Sequence, residues 1–188
     1  MAPCNPEPEP AAVPGVIGVS SCLLGELVRY DGGHKHDRDL TDRLGPLFRF
    51  VPVCPEVGCG LSIPREAMRL EGDPAAPRLV TTQSRIDLTD RMQAWCRMKV
   101  RELEGEDLCG FIFKRNSPSC GVAQVPVYGD NGTAGSGSGL FAAALTARFP
   151  LLPVAEEGRL DDQGFREEFI ERVFTYRCLK PSLPPAYE

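Results

Sequence analysis

The sequence predicts an α/β domain built around a mostly parallel sheet that is flanked by helices. Short apolar runs bounded by turn residues recur along the chain, which is typical of buried strands. Segments with the apolar spacing of helices fall between or after these runs, and such alternation favours a parallel sheet. With 188 residues, the chain has room for one domain with a substantial core and is short for two.

Each predicted element follows from its local pattern. The predicted strands are residues 16–20, 48–53, 109–114, 125–128 and 149–154. The predicted helices are residues 39–44, 87–104, 137–149 and 161–179. Acidic residues open the last helix, in keeping with the helix dipole. The glycine-rich segment 129–139 is interpreted as a flexible turn leading into a helix, because it lacks the Gly-Lys-Ser/Thr ending of a phosphate loop.

The two ends of the chain are rich in proline. Residues 1–14 are predicted to be a disordered tail and residues 180–188 a loose tail, which leaves 15–179 as the folded domain. We expect a cytoplasmic protein without membrane contact, because neither a signal-peptide pattern nor a run of ~20 apolar residues is present. The net charge of −5 and the lack of a polybasic stripe argue against duplex nucleic acid as a partner. The oligomeric state does not follow from the sequence.

Eight cysteines in a chain expected to be cytoplasmic favour metal binding or catalysis over disulfides. Cys22 follows the first predicted strand, Cys54 and Cys59 follow the second, and Cys120 follows the third. We expect these thiols to converge, since the carboxyl ends of strands line the ligand crevice of an open α/β sheet. Zinc and an iron-sulfur cluster both suit thiolates, and the spacing favours a cluster, which accepts ligands from distant loops.

The other cysteines are interpreted differently. Cys96, Cys109 and Cys178 are taken as small packing residues and Cys4 as an idle residue of the tail.

Polar residues near these cysteines are candidates for chemistry. Glu56 lies between Cys54 and Cys59, where a carboxylate can serve as the general base for water, and Ser117 offers a hydroxyl that can hold a substrate or relay a proton. The turn formed by Tyr30, Asp31 and Gly32 is a candidate for substrate contact, because glycine allows close approach of the backbone. His34 and His36 suit either a metal site or, more simply, a polar loop.

Five segments in order resemble the iron-sulfur-dependent thiouracil desulfidase family: SSCLLGELVRYDGGHK, PVCPEVGCGLSIPRE, GDPAAPRLV, DLCGFIFKRNSPSCG and RFPLLPVAEEGRL. The similarity spans residues 15–177 and is to the short form, without an additional C-terminal domain. It implies a Rossmann-like fold and a 4Fe-4S cluster with three cysteine ligands and one open iron. The implied partner is a small thiolated base, 2-thiouracil or a related nucleobase.

The resemblance also implies roles for individual residues. Cys22 and Cys120 match two cluster ligands, and the third is Cys59 or, as the alternative, Cys54. Cys59 is preferred because its flanking glycines let backbone N–H groups approach the cluster. The implied reaction is a non-redox hydrolysis that yields uracil and hydrosulfide, in which Glu56 activates water and Ser117 orients the base or passes a proton.

Three further interpretations stay open at this point. Glu66 is a second candidate carboxylate, expected mainly to pair with Arg65 or another loop charge. The protein could instead transfer sulfur to or from a tRNA base or a carrier protein. It could also be a zinc-stabilised binding module whose cysteines are structural.

Overall fold

The computed structural model describes residues 15–130 and 132–180. In this part of the chain the strands are β1 (Gly15–Ser20), β2 (Phe48–Val53), β3 (Met68–Asp73), β4 (Ala76–Thr81), β5 (Leu108–Phe113), β6 (Val125–Gly129), β7 (Gly132–Gly137) and β8 (Val154–Glu156). The helices are α1 (Arg38–Leu44), α2 (Pro55–Gly58), α3 (Thr89–Glu104), α4 (Leu140–Arg148) and α5 (Gln163–Leu179), with 3-10 turns at Ser21–Leu24 and Glu157–Arg159.

One sheet is entirely parallel and has the strand order β2-β1-β5-β8. Strands β1 and β5 are buried along their whole length because they occupy its centre. Strand β2 lies at the edge, where an exposed Pro52 costs no ladder hydrogen bond. The parallel sheet and its flanking helices confirm the predicted α/β class.

Both faces of the parallel sheet carry core packing, because successive side chains of a strand point to opposite sides. Val16 belongs to a cluster with residues of α3, α4 and the second sheet, whereas Ile17 and Val19 belong to a cluster with residues of α1 and α5. Gly18 leaves room for a neighbouring ring, since a Cβ atom there would lie 2.2 Å from Cδ2 of Phe111. The sheet is therefore covered on both sides.

The second sheet, with the order β4-β3-β6-β7, was not predicted. Only β3 and β6 are parallel in it, and the other pairs are antiparallel. The glycine-rich segment 129–139 was wrongly interpreted as a flexible turn, because it contains β7, which pairs with β6 before α4 begins. The predicted strand 149–154 was also wrong, since only its last residue, Val154, lies in β8.

The order of the parallel sheet reverses direction between β1 and β5. Such a reversal opens a crevice at the carboxyl ends of the strands, where ligands bind in open α/β sheets. The predicted tails lie outside the described residues, apart from Lys180, which caps α5 and places its Nζ atom 2.6 Å from Oδ1 of Asp107. Within the described ranges, no helix is both long and apolar enough to cross a membrane.

Candidate active site

A cavity of about 420 Å³ lies at the carboxyl ends of β1, β2 and β5. Three thiols belong to its wall. Cys22 comes from the 3-10 turn after β1, Cys54 follows β2 directly, and Cys120 comes from the loop after β5. The fold thus brings to one cavity three cysteines that are far apart in the sequence.

The single turn of α2 separates Cys54 from Cys59, the two candidates for the third cluster ligand. Cys54 is its N-cap and lines the cavity, whereas Cys59 is its C-cap and is not part of the cavity wall. The thiol of Cys59 donates to the backbone oxygen of Glu56 at 3.3 Å and packs against the core on the side of α3. Of these two cysteines, the fold therefore places only Cys54 at the cavity.

The loop that carries Cys120 is fixed by two sets of hydrogen bonds. The Ser117 Oγ atom accepts from the backbone N–H groups of Ser119 at 3.2 Å and Cys120 at 3.1 Å. The first turn of α4 holds the same loop, because Leu140 N donates to Pro118 O at 3.1 Å and Phe141 N to Ser119 O at 2.9 Å. The loop carbonyls thus satisfy N–H groups that a helix start leaves free.

Gly139, the N-cap of α4, allows the first turn of α4 to approach the loop that carries Cys120. A Cβ atom there would lie 2.5 Å from the carbonyl carbon of Ser119 and 2.8 Å from the nitrogen of Cys120. Its own N–H group donates to Gly121 O at 2.7 Å. A residue without a side chain is required where two backbones approach so closely.

Glu56 brings a buried carboxylate into the cavity wall. Its Oε2 atom lies 3.4 Å from the Sγ atom of Cys54 and 4.0 Å from a guanidinium nitrogen of Arg65. Arg65 is itself held in place, since it donates to Val28 O at 2.9 Å. The carboxylate of Glu56 therefore lies within 4.0 Å of both a thiol and a cation.

Burial raises the pKa of each cavity thiol. It raises the pKa of Cys22 to about 11 and that of Cys54 to about 12, and the carboxylate of Glu56 adds to both rises. Burial and then Glu56 also hold the pKa of Cys120 well above its usual value. Lys114 and Arg29 act in the opposite direction on Cys22. A ligand that binds these residues as thiolates must therefore supply positive charge.

Among the charged residues of the wall, basic side chains outnumber acidic ones, although the chain has a net charge of −5. Glu56 is the acidic residue among the wall residues, and the basic ones are Arg29, Lys35, Arg65, Lys114 and Arg115. Lys114 is anchored by an ion pair with Glu157, whose Oε2 atom also accepts from Arg115 N at 2.7 Å. The wall therefore suits thiolates and other groups with negative charge.

Sequence reasoning missed these cations. Lys114 directly follows β5, and a polar residue at the carboxyl end of a buried strand is a signal that could have been used. Arg65 sits in a loop with no such signal.

The predicted substrate-contact turn is only partly at the cavity. Tyr30 lines it, whereas Asp31 and Gly32 do not. Asp31 accepts from Gly33 N at 3.0 Å, and Gly32 has a φ of +78°, so both shape the loop itself.

The histidine pair lies outside the cavity wall. His34 and His36 are exposed, and the Nδ1 atom of His34 accepts from the backbone N–H of His36. Among the described residues, no group of three or more His, Cys, Asp or Glu side chains could hold a single metal ion.

Other residues singled out in the sequence lie away from the cavity. Glu66 does not pair with Arg65 as expected but accepts from Ser84 N at 2.8 Å and Ser84 Oγ at 2.7 Å. Cys96 and Cys109 are buried as expected, while Cys178 is exposed. Cys4 lies outside the described residues.

Comparison with known proteins identifies the family. The model of the 2-thiouracil desulfurase family matches residues 17–157. The chain belongs to the 2-thiouracil desulfurase family. This confirms the family predicted from the sequence motifs.

Two relatives extend this result for the 2-thiouracil desulfurase family. The uncharacterized protein YbbK of Bacillus subtilis strain 168 is 31% identical over 135 residues, which cover 69% of this chain and 89% of YbbK. A solved structure of TudS, described as a 4Fe-4S-dependent thiouracil desulfidase, matches with a TM-score of 0.61 and 29% identity. That match covers 82% of this chain and 98% of TudS, and it confirms the predicted fold.

Proposed function

We propose that the protein removes sulfur from 2-thiouracil or a related thiolated nucleobase by non-redox hydrolysis. The observation that carries the proposal is the presence of three thiols and one carboxylate in one cavity at the carboxyl ends of the parallel strands. Membership of the 2-thiouracil desulfurase family and the likeness to TudS support it.

The donor set fits an iron-sulfur cluster. In this proposal Cys22, Cys54 and Cys120 hold a 4Fe-4S cluster and leave one iron without a protein ligand, because these are the thiols that line the cavity. The open iron supplies a Lewis acid for the soft thiocarbonyl sulfur when the cluster is bound. The surrounding cations offset the negative charge of three thiolates.

Glu56 is the proposed general base. Its carboxylate takes a proton from water, and the water oxygen forms a bond to the carbon that carries the sulfur. As oxygen adds, the double bond between carbon and sulfur becomes a single bond, which then breaks with its electron pair on sulfur. The second proton of the water passes to this sulfur, directly or through Ser117, and the sulfur leaves as hydrosulfide. Oxygen from water thereby replaces sulfur, and no electron donor or acceptor is needed.

Ser117 is the proposed hydroxyl donor. Its oxygen accepts two backbone hydrogen bonds, so its own O–H remains available to a ligand in the cavity. From the cavity wall it can donate to the base or pass a proton to the departing sulfur. Tyr30 is proposed to contact the base at the rim of the same cavity.

Anaerobic reconstitution with iron and sulfide, followed by incubation with 2-thiouracil, tests this function. We expect bound iron and sulfide, and equal amounts of uracil and hydrosulfide as products. Protein that binds zinc but no iron would contradict the proposal. A fully loaded protein that releases no hydrosulfide would contradict it as well.

A further inference from the structure

We propose that Trp95 of α3 is a positioning residue that holds together the two loops that deliver the reactive groups. One loop, residues 54–60, carries Cys54 and Glu56, and the other, residues 117–121, carries Ser117 and Cys120. The consequence for catalysis rests on the proposed function, whereas the contacts of Trp95 with the loops do not.

The first contact is with the loop 54–60. A Cβ atom on Gly58 would lie 2.4 Å from Cε2 and Cζ2 of the Trp95 ring, so the indole lies directly against the backbone of α2. Arg91, one turn earlier on the same face of α3, donates to Cys59 O at 2.6 Å and to Gly60 O at 2.7 Å. Helix α3 thus fixes the end of the turn that begins at Cys54.

The second contact leads to the loop 117–121 through α4. The rings of Trp95 and Phe141 have centroids 5.6 Å apart. Phe141 is fully buried, and its backbone N–H donates to Ser119 O at 2.9 Å. One indole therefore packs between the turn after β2 and the helix start that holds the loop after β5.

Trp95 acts through these neighbours, since it is not part of the cavity wall. The distance between Cys54 and Cys120 matters because a rigid cofactor must reach both thiols. The distance between Glu56 and Ser117 matters because, in the proposed reaction, both must reach the same bound substrate. Removing the indole leaves a space between α2 and α4 and lets the segment that each holds shift independently.

Alkylation of the metal-free protein tests the positioning role without any cofactor. Iodoacetamide labelling of each cysteine is followed by mass spectrometry. In Trp95→Ala we expect the labelling rates of Cys54 and Cys120 to rise about 10-fold through local opening, and that of Cys22 to change by less than about 2-fold. Trp95→Phe, which keeps an aromatic ring, is expected to restore most of the protection.

Two variants sharpen this test. Arg91→Met removes a contact with the first loop only. Cys54 is therefore expected to become more reactive, while Cys120 keeps its protection. This variant also carries the test if Trp95→Ala does not fold. Phe169→Leu is the control, because Phe169 is a fully buried aromatic residue that packs on the other face of the parallel sheet. It is expected to lower the melting temperature without changing the ratio of Cys120 to Cys22 labelling.

The loaded enzyme gives the second readout. We expect kcat of Trp95→Ala to fall about 10- to 100-fold with KM changed by less than about 3-fold, since misplaced groups slow the chemical step. Unchanged labelling of Cys54 and Cys120 in Trp95→Ala, or an equal rise at Cys22, would overturn the inference. If the wild-type protein forms no uracil, the proposed function fails, and the labelling experiment still decides the role of Trp95.

Discussion

The Sγ atom of Cys54 lies 3.4 Å from the Oε2 atom of Glu56, two residues further along the chain. Helix α2 creates this closeness, because Cys54 is its N-cap and Glu56 lies in its first turn. A proposed ligand and a proposed base thus share one rigid turn. Substitutions in this turn separate the two roles.

Glu56→Gln is expected to retain the cluster and lose catalysis. The amide cannot accept a proton from water, and general bases contribute about 100- to 10,000-fold to rates. We therefore expect kcat for hydrosulfide release to fall within that range while iron content stays at the wild-type level. The measurement is a steady-state assay normalised to bound iron.

Glu66→Gln is the matched control for Glu56→Gln. Glu66 is a nearby carboxylate in a loop, where it accepts a hydrogen bond from Ser84 N and does not line the cavity. We expect its kcat to stay within about 3-fold of wild type, as for most substitutions away from a site. A rate loss in Glu66→Gln equal to that in Glu56→Gln would contradict the assignment of the base.

Substitution of the two competing cysteines identifies the third ligand. Losing the hydrogen-bonding partner of a metal ligand already costs about 10- to 100-fold in metal affinity or activity, and loss of the ligand itself costs more. We expect Cys54→Ser to lose most of its iron after reconstitution and Cys59→Ser to keep it. Of these two cysteines, only Cys54 lines the cavity. Iron and sulfide analysis decides between them, and the opposite pattern would restore Cys59 as the ligand.

Gly139→Ala is expected to displace the loop that carries Cys120. The added methyl group meets the backbone of Ser119 at 2.5 Å, which neither partner can avoid without moving. Overpacking of this kind costs about 1–3 kcal/mol of unfolding free energy. We expect a lower denaturation midpoint and less bound iron.

Gly105→Ala is the matched control for Gly139→Ala. Gly105 caps the end of α3 with right-handed helical backbone, and the nearest atom to an added Cβ is 3.5 Å away. We expect normal iron content and no loss of stability. Equal iron loss in both variants would show that the close approach at Gly139 does not matter.

Glu71 predicts a specific dependence of stability on pH. Hydrogen bonds from Arg85 and Arg69 lower the pKa of this carboxyl from 4.5 to about 2 in the folded protein. The folded state therefore gains stability from the ionised carboxylate above pH 4.5, and the gain is lost as the pH falls from 4.5 towards 2. Melting temperatures of metal-free wild type and Glu71→Gln measure this gain.

The difference between the two melting temperatures is the decisive quantity. It should be largest near neutral pH, where Glu71→Gln lacks both ion pairs, and should shrink as the solution is acidified. A difference that stays constant down to the acid limit would show that the ion pairs with Arg85 and Arg69 do not contribute.

Much of the parallel sheet could be predicted from the sequence. Strands β1, β2 and β5 are nearly continuous apolar runs, and buried strands leave that signal whatever their neighbours are. Four thiols were expected to converge after these strands; Cys22, Cys54 and Cys120 line one cavity, whereas Cys59 does not. The resemblance of the motifs to a known family predicted the removal of sulfur from a thiolated base.

The second sheet could not be predicted in the same way. Strand β7 is mostly glycine and small residues, so its extended form depends on pairing with β6 rather than on its own side chains. The choice between Cys54 and Cys59 also depended on structure, because they sit at opposite ends of one helical turn. Gly58 lies against the Trp95 ring, and the backbone oxygen of Gly60 accepts from Arg91.

The central claim is that oxygen from water replaces the sulfur of a thiolated base. Hydrolysis in water enriched in the heavy oxygen isotope tests this claim most directly. Reconstituted protein is incubated anaerobically with 2-thiouracil, and the product is analysed by mass spectrometry together with released hydrosulfide. The account predicts one heavy oxygen atom in each uracil, one hydrosulfide for each uracil, and neither product in appreciable amount from Glu56→Gln. Uracil without heavy oxygen, or sulfur that leaves only when an added reductant or acceptor is present, would contradict it.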